Sequence, residues 1–200
     1  MVITGVILAA GMSSRMGSVN KLLLNYKGHT IIEETLRQMM NSTVDNIVII
    51  TGFEHTEVEQ ALDSHLDDRT RFVYNADYRL GRAESIKCAI EAIADQTDAA
   101  LFMVADKPGV ASHLIDKAIE RFRTDRPAIL YVETLNGRGH PIIFDKRVFD
   151  DLLSLNGDRI GDELVSSYCD DLVRLADETP QIDIDSEDDY RILLETESHD

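Results

Sequence analysis

Short runs of apolar, often β-branched residues alternate along this chain with longer stretches in which apolar residues recur three and four positions apart. The short runs predict strands and the longer stretches predict helices. The predicted strands are residues 2–8, 46–51, 71–74, 99–104 and 128–132, and the predicted helices are residues 30–40, 56–66, 83–94 and 112–123. This alternation predicts a mostly parallel sheet covered by helices on both faces.

The regular alternation stops near residue 136, where glycines and a proline predict a turn over residues 136–141. In the last third of the chain, the sequence pattern predicts a short strand at 141–144, helices at 146–155 and 160–168, and a strand at 172–175. A closing segment, 182–185, leads into a last predicted helix at 186–194. Because no repeat, linker or low-complexity stretch interrupts the pattern, we expect residues 1–200 to form one domain.

Composition narrows the class of protein. The 200 residues are 44% hydrophobic with a formal net charge of -17, which argues against a broad surface for nucleic acid or anionic membrane. The two cysteines, Cys88 and Cys169, show no metal-binding or disulfide spacing. No leader-like segment and no apolar stretch of about 20 residues is present, so the sequence predicts a soluble, cytoplasmic protein.

The turn after the first predicted strand has the character of a phosphate-binding loop. Residues 9–17 are small and glycine-punctuated, and Arg15 and Lys21 add positive charge there. The glycine spacing fits neither the P-loop nor the dinucleotide-binding fingerprint, which disfavours both classes. A solvated surface loop is the alternative explanation of these two cations.

Two carboxylates follow apolar segments that are far apart in the chain. Asp106 is the first carboxylate after the predicted strand 99–104, and Asp185 follows Ile184 in the closing segment. Mg²⁺ usually takes one or two protein carboxylates together with substrate phosphates, so this pair could hold it. The alternatives are a turn aspartate before Pro108 and an N-cap of the last helix. Asp183 alternates with Asp185, and we expect it to point to the opposite face and play a supporting part.

Residues 8–17, LAAGMSSRMG, together with Lys21 resemble the signature of the nucleotidyltransferases that act on molybdenum cofactor. Their guanylyltransferase branch usually has Gly-Gly where this chain has Ala10-Gly11, so the resemblance is to the cytidylyltransferase branch. Further similar segments follow in family order: Thr51-Gly52, Asn75 with Tyr78 and Gly81, Ser85, Asp106 with Pro108, residues 139–141 and residues 183–185. The resemblance spans residues 3–190.

The resemblance implies a three-layer α/β/α, Rossmann-like nucleotidyltransferase fold and Mg²⁺-dependent transfer of CMP from CTP to the terminal phosphate of molybdopterin or its molybdenum form. Its implied partners are CTP, a pterin phosphate and a molybdoenzyme that receives the cofactor. The catalytic residues it implies are Arg15, Lys21 and Asp106, and the metal ligands are Asp106 and Asp185. The implied nucleotide-binding residues are Leu8, Ala9, Ala10, Gly11, Arg15, Lys21, Thr51, Gly52, Asn75 and Ser85. The implied acceptor-binding residues are Lys107, Gly139 and His140.

Two departures from the family pattern concern the acceptor. Lys107 stands where a neutral residue is usual, and Arg82-Ala83-Glu84 replaces smaller residues before Ser85. Two other functions therefore stay open: a nucleotidyltransferase with another phosphorylated acceptor, such as a sugar phosphate, and a non-catalytic accessory protein that binds the cofactor. The alternative for His140 is a structural role, which is the more common one for a lone histidine without ligand spacing.

Overall fold

The computed structural model describes residues 1–13, 19–157 and 162–196. Seven strands form the main sheet: β1 Ile3–Ala9, β4 Asn46–Thr51, β5 Thr70–Tyr74, β6 Ala99–Val104, β7 Ile129–Thr134, β8 Gly137–Asp145 and β9 Leu172–Ala176. Their order is β5-β4-β1-β6-β8-β7-β9, and β2 Asn25–Tyr26 pairs separately with β3 His29–Thr30. Only β8 runs against its neighbours in the main sheet as described, which confirms the mostly parallel sheet.

Helices cover both faces of this sheet. They are α1 Ile31–Met40, α2 His55–Leu62, α3 Arg82–Ile93, α4 Ser112–Asp125, α5 Phe149–Leu153, α6 Asp162–Ser167 and α7 Glu187–Thr196. One buried apolar cluster joins one sheet face to α1, α2, α4 and α7, and a second joins the other face to α3, α5 and α6. The predicted three-layer arrangement is confirmed. None of the helices in the described ranges is long and apolar enough to cross a membrane.

The turn predicted at residues 136–141 is wrong, because Gly137 to Pro141 belong to β8 and the turn is formed by Leu135 and Asn136. The pairing of β7 with β8 shifts register between Tyr131 and Glu133, opposite this part of β8. A bulge leaves a position without a ladder hydrogen bond, which is where a strand tolerates a proline. Glycine and proline therefore accompany an irregular strand here rather than ending one.

The chain after β8 is less regular than its apolar pattern predicts. The predicted helix 146–155 is a 3₁₀ turn, Lys146–Val148, followed by the short α5. The closing segment 182–185 belongs to no strand, contrary to the alternation expected for Asp183 and Asp185. Its Ile184 amide instead donates to the Asp106 carbonyl just after β6, and Gln181, immediately before it, hydrogen-bonds His140 of β8.

Candidate active site

A cavity of about 280 Å³ opens at the carboxyl ends of β1 and β6. From β1 the chain proceeds to β4 and β5 on one side and then returns to β6 on the other, so this is the point at which the strand order reverses. Open α/β sheets bind their ligands at such a point. The cavity is lined by Leu8, Ala9, Ala10, Gly11, Met12, Ser13, Lys21, Leu22, Tyr78, Arg79, Gly81, Arg82, Ser85, Val104, Asp106 and Asp185.

The loop after β1 brings Lys21 back to the strand from which the loop departs. The Lys21 amide donates to Ser13 Oγ at 3.3 Å, which joins the two sides of the loop. Asn20 caps a 3₁₀ turn, Lys21–Leu23, by accepting a hydrogen bond from the Leu22 amide at 3.1 Å. Arg15, the other predicted cation of this loop, lies outside the described residues.

Lys21 joins the two carboxylates that the sequence predicts as metal ligands. Its Nζ lies 2.5 Å from Asp106 Oδ2 and 3.0 Å from Asp185 Oδ1. The lysine side chain is 11% exposed, against 20% for Asp106 and 38% for Asp185. Burial opposes the charged form of Lys21, but its contacts with Asp106 and then Asp185 outweigh burial and raise the pKa of this lysine. Lys21 therefore carries a full positive charge between two carboxylates at neutral pH.

Main-chain contacts hold Asp106 at the end of β6. The Ala105 amide donates to the Leu8 carbonyl at 3.1 Å, and the Ala105 carbonyl accepts from Thr35 Oγ1 of α1 at 3.0 Å. The Asp106 carbonyl in turn accepts from the Ile184 amide at 3.3 Å. Since β1, α1 and the closing segment all contact this turn, the position of Asp106 depends on three separate parts of the chain.

Asp185 is not the N-cap of the last helix. That position is filled by Ser186, whose Oγ accepts from the Asp189 amide at 3.2 Å while Asp189 Oδ2 accepts from the Ser186 amide at 2.8 Å. This reciprocal pair resembles a capping box. Because Ser186 performs the capping, the carboxylate of Asp185 can serve the cavity, where it contacts Lys21.

The two carboxylates suit Mg²⁺ better than a metal that needs a full protein cage. Within the described ranges, no group of three or more His, Cys, Asp or Glu side chains is arranged to hold a metal. Mg²⁺ needs only one or two carboxylates because water and substrate phosphates complete its octahedron. Asp106 and Asp185 come from different segments, and both carboxylates contact the same ammonium group, so they face one point of the cavity.

Three of the predicted nucleotide-binding residues form the layer behind the cavity rather than its lining. Thr51 is fully buried and its Oγ1 donates to Glu59 at 2.8 Å. Asn75 is buried and its Nδ2 donates at 3.1 Å to Ser85 Oγ, which does line the cavity. A Cβ on Gly52 would come within 2.8 Å of the Ala10 Cβ. These contacts support the wall, and a direct nucleotide role for the three residues stays a prediction.

The predicted acceptor residues lie outside the cavity lining. Lys107 is buried and its Nζ lies 3.1 Å from Asp183 Oδ2. The partly buried His140 shares a hydrogen bond of 3.1 Å between its Nδ1 and the Phe102 carbonyl, which can only accept, so Nδ1 carries the proton. Burial and the nearby Lys107 charge lower the pKa of His140 to about 4. The imidazole thus hydrogen-bonds the main chain of β6, and its contact with an acceptor stays a prediction.

Sequence reasoning missed a positively charged side of the cavity. Arg79 and Arg82 line it together with Tyr78 and Gly81, between the end of β5 and the start of α3. Gly81 has a φ of 118°, a value that favours glycine at the entry to α3. The rule that identified the other loops applies here too, because these residues follow the carboxyl end of a parallel strand. The preceding strand, β5, is short and half-exposed, so its sequence pattern indicates this loop less strongly than the apolar strands indicate theirs.

A comparison with protein families identifies the family of this chain. The MobA-like NTP transferase domain matches residues 5–172. The chain belongs to this family. The match begins within β1 and ends at the first residue of β9, so it contains the other five strands of the main sheet completely.

Named relatives of this MobA-like chain carry different functions. Nicotine blue oxidoreductase of Paenarthrobacter nicotinovorans is 27% identical over 201 residues, which covers 96% of both chains. The bifunctional protein GlmU of Desulfotalea psychrophila is 31% identical over 133 residues, or 66% of this chain, and the chain spans 38% of that protein. The crystal structure of Rv0371c from Mycobacterium tuberculosis H37Rv is 30% identical with a TM-score of 0.83 and covers 98% of both chains. A second Rv0371c structure, 29% identical over 98% of this chain and 100% of that one with a TM-score of 0.83, is a complex with manganese.

Proposed function

We propose that this protein is a Mg²⁺-dependent cytidylyltransferase, which transfers CMP from CTP to the terminal phosphate of molybdopterin or its molybdenum form and releases pyrophosphate. The observation that carries the proposal is the convergence of Lys21, Asp106 and Asp185 on one cavity at the switch point of the sheet. Membership in a family of NTP transferases supports the class of reaction. The choice of CTP and of a pterin rests on the resemblance of residues 8–17 and on Ala10 in particular.

In this mechanism the chain acts by positioning and charge. An acceptor phosphate is already anionic and needs no strong general base, so alignment of its oxygen with the α-phosphorus is the main requirement. Asp106 and Asp185 would hold Mg²⁺, which when bound would neutralise the triphosphate and the leaving pyrophosphate. Lys21 and Arg15 would bind the departing phosphates, and residues 8–11 would form a close floor for base and ribose. Arg79 and Arg82 extend the positive side of the cavity toward an anionic substrate.

The proposal is tested by pyrophosphate release from the purified protein with Mg²⁺. CTP, GTP, ATP and UTP are compared with and without molybdopterin or its molybdenum form. We expect release with CTP only when the pterin is present. Asp106→Ala and Arg15→Ala should abolish release while leaving the circular dichroism spectrum unchanged. An active Asp106→Ala protein with unchanged Mg²⁺ dependence would contradict the metal assignment.

The same assay separates the other functions. Release with CTP and a sugar phosphate, but not with the pterin, indicates a nucleotidyltransferase of different acceptor. Binding of CTP or the pterin without any release, by a folded protein, indicates an accessory role. Because one relative that matches over nearly its full length is named nicotine blue oxidoreductase, a redox assay with nicotine blue and an added electron donor or acceptor serves as the control. The carboxylate pair and its lysine favour phosphoryl chemistry over that alternative.

A further inference from the structure

The side-chain amide of Gln181 hydrogen-bonds both main-chain polar groups of one β8 residue, His140. Its Oε1 accepts from the His140 amide at 2.8 Å, and its Nε2 donates to the His140 carbonyl at 2.5 Å. Gln181 is 9% exposed and lies in the segment that precedes α7. A Cβ on residue 139 would come 2.7 Å from Gln181 Oε1, so Gly139 leaves the space in which this amide fits. Two hydrogen bonds to one residue fix both the position and the orientation of the amide.

The segment that begins at Gln181 ends at the second predicted metal ligand. Two residues on, Asp183 pairs with Lys107 at 3.1 Å. Next, Ile184 is fully buried and its amide donates to the Asp106 carbonyl at 3.3 Å. Asp185 follows and contacts Lys21. Because this segment belongs to no helix or strand, these contacts help to place the Asp185 carboxylate beside Asp106, together with the hydrogen bond that the Asp185 amide donates to Asp189 Oδ2 at 3.2 Å.

We propose that Gln181 is a positioning residue for metal binding: it fastens residues 181–185 to β8 and so holds Asp185 at the distance from Asp106 that one divalent ion requires. This inference rests on the proposed function insofar as it takes Asp106 and Asp185 to be the metal ligands. Residues that orient metal ligands through hydrogen bonds commonly change metal affinity about 10–100-fold when they are replaced. Gln181 would act through Asp185 and touch neither metal nor nucleotide.

The test is a titration of the protein with Mn²⁺, first alone and then with CTP, with bound ion measured by electron paramagnetic resonance. Gln181→Met keeps the side-chain volume and removes both hydrogen bonds, and we expect its Mn²⁺ affinity to fall about 10-fold or more. Gln38→Met is the matched control. Gln38 accepts from the Ser112 amide at 2.9 Å and so also links two segments, but it lies outside the cavity lining. Its loss should lower the thermal unfolding midpoint without changing the Mn²⁺ affinity.

Gln181→Glu separates position from charge and is available if the methionine variant does not fold. It keeps an oxygen to accept from the His140 amide, loses the donor, and adds a negative charge near the site. Charge alone would strengthen Mn²⁺ binding, whereas a displaced Asp185 weakens it. We expect weaker binding. Wild-type affinity, or tighter binding, in the folded Gln181 variants overturns the positioning role while leaving the metal site intact. Absence of Mn²⁺ binding by the wild-type protein, both alone and with CTP, overturns this inference and the metal assignment on which it rests.

Discussion

The side chain of Lys21 lies between the two carboxylates that a divalent ion would share, 2.5 Å from one and 3.0 Å from the other. An ammonium group and a metal ion compete for the same oxygens, so the metal must displace Lys21 before it can bind both. A nucleotide triphosphate offers Lys21 a second anionic partner. At the scale of this residue, metal binding and nucleotide binding are therefore expected to favour each other.

Replacing Lys21 by Met should strengthen Mn²⁺ binding in the absence of nucleotide. The variant leaves Asp106 and Asp185 without their shared cation, so we expect the affinity to rise about 10-fold, which corresponds to about 1.4 kcal/mol. Turnover with CTP should fall, because the same lysine would bind the leaving phosphates. Titration with Mn²⁺, with and without CTP, measures the first effect and pyrophosphate release the second.

Lys107→Met is the matched control for this prediction. It removes the same charge from a buried lysine near the site, but Lys107 pairs with Asp183 rather than with the predicted metal ligands. Its Mn²⁺ affinity should not rise, because the lost pair with Asp183 is one of the contacts that place Asp185. Equal increases in the two variants would mean that long-range charge, and not competition at the carboxylates, sets the affinity.

His140 should make the fold less stable in mild acid. Its pKa is lowered to about 4 in the folded protein, against an ordinary value of 6.5. Between these values the unfolded chain binds a proton that the folded protein does not, so stability falls as the pH drops from 6.5 toward 4 and this contribution then levels off. His140→Asn can still donate to the Phe102 carbonyl and should flatten the loss in that window. Urea unfolding at pH 7, 5.5 and 4 measures it.

The control for this titration is His113→Asn, a change at an exposed histidine of α4. It should reproduce the wild-type dependence on pH. A His140→Asn protein that loses as much stability as wild type between pH 6.5 and 4 would show that other groups, such as the carboxylates, are responsible for the whole effect.

At the scale of elements, the packing of β8 against the closing segment depends on Gly139. A methyl group there would come 2.6 Å from Thr134 Cγ2 and 2.7 Å from Gln181 Oε1, and a crowded interior costs about 1–3 kcal/mol. We expect Gly139→Ala to lower the free energy of unfolding by that amount. Gly109→Ala is the control, because a Cβ at residue 109 meets nothing within 4 Å. Equal destabilisation of the two variants, measured by urea unfolding, would contradict this account.

The elements differ in how far the sequence predicts them, and the reason is the range of the interactions that form them. Buried parallel strands such as β1 and β6 are continuous apolar runs, and their carboxyl ends locate Ala10 and Asp106 without further information. At residues 137–141 the glycines and the proline predict a turn, but the structure has a strand. A bulge and the amide of Gln181 accommodate these residues there, and neither is visible in the local sequence because both depend on distant parts of the chain. The pairing of Lys21 with both Asp106 and Asp185 likewise joins three separate segments, and no local pattern contains it.

At the scale of the whole molecule, a chain of net charge -17 has, among its described residues, the cations Lys21, Arg79 and Arg82 around one cavity. The net negative charge of the protein repels an approaching triphosphate, whereas the cations that line the cavity attract it. Moderate salt screens exposed charges over about 8–10 Å and so reduces the general repulsion more than the contacts within the cavity. This distribution favours small anions that enter the cavity over polyanions that must lie on the surface.

If residues 1–200 form one domain around the sheet, a ligand bound at its switch point should stabilise the whole chain. The two apolar clusters share that sheet, so we expect a single unfolding transition, the same by far-ultraviolet circular dichroism and by tyrosine fluorescence.

A ligand at 100 times its Kd adds about 2.7 kcal/mol to the free energy of unfolding, which for a chain of this size raises the unfolding midpoint by about 5–10 °C. Mn²⁺ with CTP should give this shift, and either alone should give less, because Lys21 opposes the metal until the nucleotide is bound. In the Asp106→Asn variant, the shift of the unfolding midpoint with Mn²⁺ and CTP should be no larger than the shift with CTP alone. A shift as large with GTP would contradict the base preference drawn from Ala10, and two separate transitions would contradict the single domain.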